Sequence, residues 1–192
     1  PPPSLPPPPP PPPPLFFFTQ TTPNEILSGL VGSEMCIRDR SYISHIELDD
    51  KHIPPPTSEI EKERRVALYD LLEENKFEVP SVSGPYHLIL SIKEKRLVFE
   101  VSKEDRSPVI EFHLSLSPFR QVVKDYWAIC ESYYDAVKNL PPGQIETIDM
   151  ARRGIHDEGA RILLERLDGK AIINNDTSRR LFTLICVLHF GI

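Results

Sequence analysis

The stretch "DMARRGIHDEGAR" at 149–161 gathers three arginines, a histidine and three carboxylates into thirteen positions. Laid on a helix, Arg152 and His156 are neighbours one turn apart, and Arg153 can pair with Asp149 or Asp157. The two guanidinium forks of Arg152 and Arg153 beside the imidazole can hold a phosphate or a carboxylate, with His156 as proton donor or acceptor. Gly154 and Gly159 bare the helix surface next to them. A glycine inside a helix costs about 1 kcal/mol relative to alanine, so the pair asks for a reason: a ligand, or tight packing against another helix. The competing reading of the segment is a solvated charged face.

Further along, "TSRR" at 177–180 places Arg179 and Arg180 in the first turn of a helix, the end of the dipole that disfavours cations. Either acidic neighbours hold them, with Asp125 and Glu131 the candidates, or they contact an anion. The segment "KDYWAICESYYDA" at 124–136 carries Tyr126, Trp127, Tyr133 and Tyr134, more large rings than one buried stripe accommodates. Rings left at a rim could stack on a ligand or anchor a partner chain; the alternative is that they cover a sheet, with their hydroxyls on acidic neighbours. Glu100 and Glu111 are expected to face one another across two strands, with His113 diagonal to Glu100. Such a like-charged pair needs a bridging cation or a wet face, and two or three loosely placed ligands fall short of a metal site. Cys130 and Cys186 occupy apolar helical positions with no adjacent base to activate them, which makes them buried filler. His189, near the end of an apolar helix, reads as core or as a cap on the dipole. Glycine-rich phosphate loops and Gly-x-Ser-x-Gly elbows are absent from the sequence, and no cofactor or metal is implied.

The elements that must position these groups can be read from periodicity. Tyr42, Ser44, Ile46 and Leu48 alternate as a short edge strand. "SEIE" at 58–61 has the form of a capping box on a helix that runs to about Asn75 and buries Ile60, Ala67, Leu68, Leu71 and Leu72. Three alternating runs then constrain each other. A tight turn at Glu94 and Lys95 pairs Ile92 with Leu97, Leu90 with Phe99 and Leu88 with Val101. A second turn, around 105–108, pairs Val101 with Ile110, Phe99 with Phe112 and Leu97 with Leu114. A slip of one residue would turn the whole apolar set to water. Ser117 and Pro118 begin a helix with a stripe from Phe119 to Val137, broken by Pro141 and Pro142. The next helix, from about Gln144 to Leu167, carries Ile148, Ala151, Ile155, Ile162, Leu163 and Leu167. After a short strand at 171–173, Asp176 or Thr177 caps a last helix, apolar nearly all round over 181–190, which belongs in the middle of the core. The expected fold is α+β: an antiparallel meander of three to four strands packed on one face by about four helices, in a single domain at 41–192.

The first forty residues stand apart. A proline-rich opening and a Phe triplet lead into "GLVGSEMCIRDR" at 29–40, which matches, letter for letter, the translation of a transposase sequencing adapter. Residues 1–40 therefore read as a non-native, disordered, adapter-derived segment to be set aside before fold reasoning. Their removal takes away two basic and three acidic residues from a chain of net charge −6 and leaves a balance of −5. An acidic body argues against a nucleic-acid partner. The two remaining cysteines have neither disulfide nor zinc spacing, which points to a reducing, cytoplasmic setting. The longest apolar run, 181–192, is about half of what a bilayer span requires, so no membrane segment is expected.

The segments "SHIELDD", "ERRVALYDLLEEN", "GPYHL", "SPFRQVVKDYWAICESYYDA", "IDMARRGIHDEGA" and "DTSRRLFTLICVLHFG" resemble, in order, those of uncharacterised protein family 0262 (UPF0262), small bacterial proteins. The resemblance covers 42–192 and none of 1–40. It implies no activity, because that family has no established biochemical function, and it carries over no catalytic or binding residue.

Two functions fit the residues. One is a non-catalytic binding or regulatory module that self-associates through the aromatic helix and recognises a protein partner or a small anion. The other is a small enzyme acting on an anionic substrate, with Arg152 and Arg153 as clamps and His156 as general acid or base. A structural subunit of a larger assembly is a third. The enzyme requires Arg152, Arg153 and His156 to line a concave pocket with a further polar group; the module requires a flat, exposed, ring-rich patch.

Overall fold

In the computed structural model, residues 41–51 and 55–189 are described; the reading of 1–40 as a non-native leader lies outside them. The elements in chain order are β1 (Ile43–Asp49), α1 (Ser58–Glu73), β2 (Phe77–Glu78), β3 (Tyr86–Lys93), β4 (Arg96–Lys103), β5 (Pro108–Ser115), a 3-10 turn (Ser117–Phe119), α2 (Arg120–Asn139), α3 (Pro142–Leu167), β6 (Ile172–Ile173) and α4 (Asn175–His189). The architecture is α+β, with the helices gathered against one face of a four-stranded sheet in the order β1-β3-β4-β5.

The meander has the expected register. Ile92 faces Leu97, Leu90 faces Phe99 and Leu88 faces Val101; Leu97 faces Leu114, Phe99 faces Phe112 and Val101 faces Ile110. Side chains alternate across a strand, so one parity puts Leu88, Leu90, Leu97, Phe99, Phe112 and Leu114 all into the core. Phe99 and Phe112 stack at 4.9 Å. The connecting turn holds Glu94 and Lys95 at φ of 50° and 61°, the left-handed pair that a two-residue hairpin of the favoured twist demands.

The sheet is mixed, where a fully antiparallel meander was expected. β1 runs parallel to β3, because the chain between them is a crossover through α1, and a parallel partner needs such a connection. A register irregularity between Ile43 and His45 lets Ile43 be fully buried, whereas the outer strand residues Ile46 and Leu48 are only partly so. Strand pairing alone does not hold this edge. The Asn75 amide accepts from Ile43 N at 2.7 Å and donates to the carbonyls of Ile43 and Leu71, tying β1 to the end of α1. A small second sheet, β2 with β6, lies apart from the first; β2 has too short a run to announce itself.

Three helix caps differ from expectation by one to three residues. The cap of α1 is Thr57, whose hydroxyl accepts from Ile60 N, not Ser58. Ser117 makes no cap bond; it opens the 3-10 turn that precedes α2. Asn174 caps α4 by accepting from Thr177 N at 2.9 Å, in place of Asp176 or Thr177. For α1 and α4 the same oxygen-to-amide device is supplied by an equally capable neighbour, whereas α2 has no side-chain cap.

α4 is the hub. It touches α1, α2, α3 and β3, and every residue from Leu181 to Leu188 is buried. Each fully buried Leu, Ile or Phe contributes about 1.5–3 kcal/mol, so this helix carries a large share of the core. Gly159 of α3 is what lets α4 come close, since a Cβ there would lie 2.2 Å from the Phe182 ring. Ser178 completes the contact by donating to Ala160 O at 2.7 Å. Gly154 has open space around its Cβ position, so packing accounts for Gly159 and not for Gly154. Among the described residues, no helix is long and apolar enough to cross a membrane.

Candidate functional site

Three helices meet around a cavity of about 280 Å3. α1 contributes Glu63, Val66, Ala67 and Asp70; α4 contributes Asp176, Arg179, Arg180 and Thr183; α3 contributes Arg152 and His156, over a floor formed by Tyr126 of α2. The spacing on α1 and α4 is identical, i, i+3, i+4 and i+7, which is one face of a helix. Two helix faces thus oppose each other across a gap closed by the third helix, the one on α4 polar throughout and the one on α1 carrying a carboxylate at either end of an apolar pair.

The arginines that converge here are Arg152, Arg179 and Arg180. Arg153 does not join them: its side chain is 67% exposed and its Nη2 turns to Asp149 at 2.7 Å. The second guanidinium fork beside His156 therefore comes from α4, half a core away in sequence, and not from the adjacent residue. Each arginine of the cavity is held from outside it. Arg152 donates through Nε and Nη2 to Asp149 at 3.1 and 2.8 Å, and its guanidinium lies 5.1 Å from the Tyr133 ring centre. Arg179 pairs with Asp157. Arg180 donates to the carbonyl of Glu74 at the end of α1. The expected partners Asp125 and Glu131 take neither arginine; Asp125 instead accepts from Gln121. The reason is geometric, since α4 begins at Asn175 and presents its second turn, with Arg179 and Arg180, to α3 and to the end of α1.

His156 sits between the rings of Tyr126 and Phe182, with centroids at 5.3 and 5.6 Å. Its Nε2 lies 2.8 Å from Thr183 Oγ1, and that hydroxyl donates to Arg179 O at 3.4 Å. A hydroxyl has one proton to give, so when it goes to the carbonyl, Nε2 carries the hydrogen and donates to Thr183. Burial first, and then the charges of Arg179 and Arg152, push the imidazole down to about 4. At neutral pH His156 is an uncharged, hydrogen-bonded group. Burial also lowers the proton affinity of the Arg179 guanidinium, with Arg152 and Arg153 adding like-charge repulsion against the opposing influence of Tyr126. The Arg152 hydrogen bond holds the Asp149 carboxyl below its ordinary range.

The aromatic helix does not present the flat ring patch that an interface through it would need. Tyr126 is 1% exposed and belongs to the core. Tyr134 is half-buried and donates to Glu63 Oε1 at 2.7 Å; Tyr133 lies under Arg152. Trp127 is half-buried, donates from Nε1 to Cys186 O at 3.3 Å, and borders a separate cleft with Arg120, Lys124 and His189. Tyrosines on this helix orient the charged groups of the neighbouring cavity.

On the outer sheet face Glu100 and Glu111 do face each other, and each has a partner of its own: Lys93 for Glu100, and the His113 imidazole, at 2.8 Å, for Glu111. Among the described residues no group of three or more His, Cys, Asp or Glu is placed to hold a metal ion. Cys130 and Cys186 are buried, and burial pushes the Cys130 thiol up to about 11.

Sequence reasoning missed Glu63, Asp70, Asp176 and Thr183 as members of the cavity. Their signal was the repeated i, i+3, i+4, i+7 spacing on two helices, which acquires meaning only once those helices face one another.

A model of the uncharacterised protein family UPF0262 matches residues 40–191. The chain is similar to a UPF0262 protein of Ruegeria pomeroyi, 69% identical over 157 residues, covering 79% of this chain and 98% of that protein. It is 67% identical over 153 residues to one of Jannaschia sp., covering 78% and 98%, and 66% identical over 157 residues to one of Dinoroseobacter shibae, covering 79% and 99%. No solved structure matches. By the extent of the family match and by these identities, the chain belongs to the uncharacterised protein family UPF0262.

Proposed function

We propose that the protein is a binding module for a small oxyanion, a phosphate monoester held by Arg152, Arg179 and Arg180 in the cavity between α1, α3 and α4. The observation that carries this reading is that the three guanidinium groups line one small cavity while each is anchored by a partner outside it. Anchoring fixes the forks without using all five donors of any of them, and preorganised forks are the usual means of gripping phosphate. Arg153, exposed and turned away, is left out of the clamp. Repulsion among the arginines around Arg179 is relieved when an anion arrives.

His156 favours binding over catalysis. A general acid or base works best with a pKa near the operating pH, and this imidazole is neutral, buried and already engaged with Thr183. Its role in this reading is to hold α3 against α4 at the right separation.

A ligand that binds only the folded state raises the melting temperature by mass action. Ethyl phosphate added to the full chain should therefore raise the melting temperature in a concentration-dependent way that an equal ionic strength of chloride does not reproduce. The Arg179→Gln, Arg180→Gln double variant should lose that shift. A shift retained in the double variant, or none in the wild type, would remove this function.

A further inference from the structure

We propose that the ligand is a small zwitterion, a phosphate monoester that also carries a primary ammonium group, with the ammonium seated on Glu63, Asp70 and Asp176. This rests on the oxyanion reading above and adds the second charge.

Three carboxylates line the same cavity as the three arginines, yet among the described residues no ion pair joins one set to the other: the arginines of the cavity take Asp149, Asp157 and the carbonyl of Glu74. The arrangement is most telling on α4. Asp176 stands three and four residues before Arg179 and Arg180, the spacings at which opposite charges on a helix ordinarily pair. Neither guanidinium turns to it; Arg179 reaches α3 and Arg180 reaches the end of α1. Glu63 is held from behind by the Tyr134 hydroxyl, and the side chains of Asp70 and Asp176 have no hydrogen-bond or ion-pair partner among the described residues.

Opposite charges facing one small volume attract strongly as it becomes drier, and here anchors outside the cavity keep them apart. An anion alone would meet as many carboxylates as arginines, and a cation alone the reverse. A molecule bearing both charges meets its complement at each end. A cavity of about 280 Å3 lies just below the drug-sized range of about 300–1,000 Å3, which suits a metabolite of a few heavy atoms.

The test is calorimetric titration of the full chain at neutral pH with O-phosphoethanolamine and, separately, with ethyl phosphate, which presents the same phosphate on a two-carbon chain without the ammonium. The expected result is affinity about tenfold or more higher for O-phosphoethanolamine, the value of one charge-assisted hydrogen bond. The Asp70→Asn, Asp176→Asn double variant should erase that preference while binding ethyl phosphate at least as well as the wild type. Should that double variant fail to fold, the Asp70→Asn single variant is read for the same narrowing. Equal or weaker binding of O-phosphoethanolamine, or a preference that survives in the folded variant, overturns the zwitterion and leaves the oxyanion reading standing. No binding of either compound overturns both.

Discussion

Gly159 and the ring of Phe182 are in direct contact, and a Cβ at 159 would stand 2.2 Å from Phe182 Cζ. That contact sets how closely α3 approaches α4, and therefore how far Arg152 and His156 stand from Arg179 and Thr183. Overpacking a filled core costs about 1–3 kcal/mol, so Gly159→Ala should lower the urea midpoint of unfolding despite the better helix former. Gly154→Ala is the internal control. Nothing lies within 4 Å of a Cβ there, and the substitution should stabilise by up to about 1 kcal/mol. If the two variants shifted in the same direction, the close approach would not be what Gly159 serves.

The β3–β4 turn offers a second stability test. Glu94 and Lys95 both occupy left-handed backbone, which costs a residue with a Cβ about 1–2 kcal/mol. Glu94→Asn with Lys95→Gly should raise the unfolding midpoint by an amount equivalent to about 1 kcal/mol, with no change in its slope. A lower midpoint would mean that the two side chains contribute more than their backbone strain removes.

His156 makes stability depend on pH in a defined direction. Its imidazole falls from an ordinary 6.5 to about 4 in the folded protein, so between those values the unfolded chain binds more protons and stability rises with pH. The contribution is fully present above 6.5 and is lost as pH falls toward 4. At most it amounts to about 3 kcal/mol. Urea midpoints at pH 4.5 and 7 should differ more in the wild type than in His156→Gln. Equal pH dependence in the two proteins would place His156 in a wetter setting than the one between Tyr126 and Phe182.

Cys130 and Cys186 should resist alkylation in the native state. Both are buried, and burial raises both thiols above their ordinary range, so the reactive thiolate is scarce as well as shielded. Maleimide labelling followed by peptide mapping should find these two positions unmodified until urea unfolds the protein. Rapid native labelling of either would show an opening of the α2–α4 contact.

Much of the sheet was legible because parity is unforgiving. Leu90, Phe99 and Phe112 could share the core only in one register, and they do. The run of α4, apolar nearly all round, announced its central place because a helix with almost no polar face has to be covered on every side. Caps were placed less well, because Thr57 and Ser58, or Asn174 and Asp176, offer equivalent oxygens and only the backbone path chooses between them. β1 was legible as a strand but not as a parallel one, since its direction depends on the crossover and not on its own residues. The cavity was legible only in fragments. The sequence placed Arg179 and Arg180 in the first turn of α4 as a local anomaly; the helix begins earlier, at Asn175 with Asn174 as its cap, so both arginines stand in its second turn, but the helical step from Arg152 to His156 was visible. That these line one cavity, that Arg153 does not, and that Glu63, Asp70 and Asp176 do, follows from the docking of three helices, of which α1 lies about a hundred residues before α4 in the chain.

The most direct test of the central claim is to follow the arginine Nε–Hε resonances of the full chain by NMR while ethyl phosphate is added. The cavity predicts saturable shifts in Arg152, Arg179 and Arg180, with Arg153 and Arg161 unmoved. Shifts confined to arginines outside the cavity, or no saturable shift at all, would contradict it.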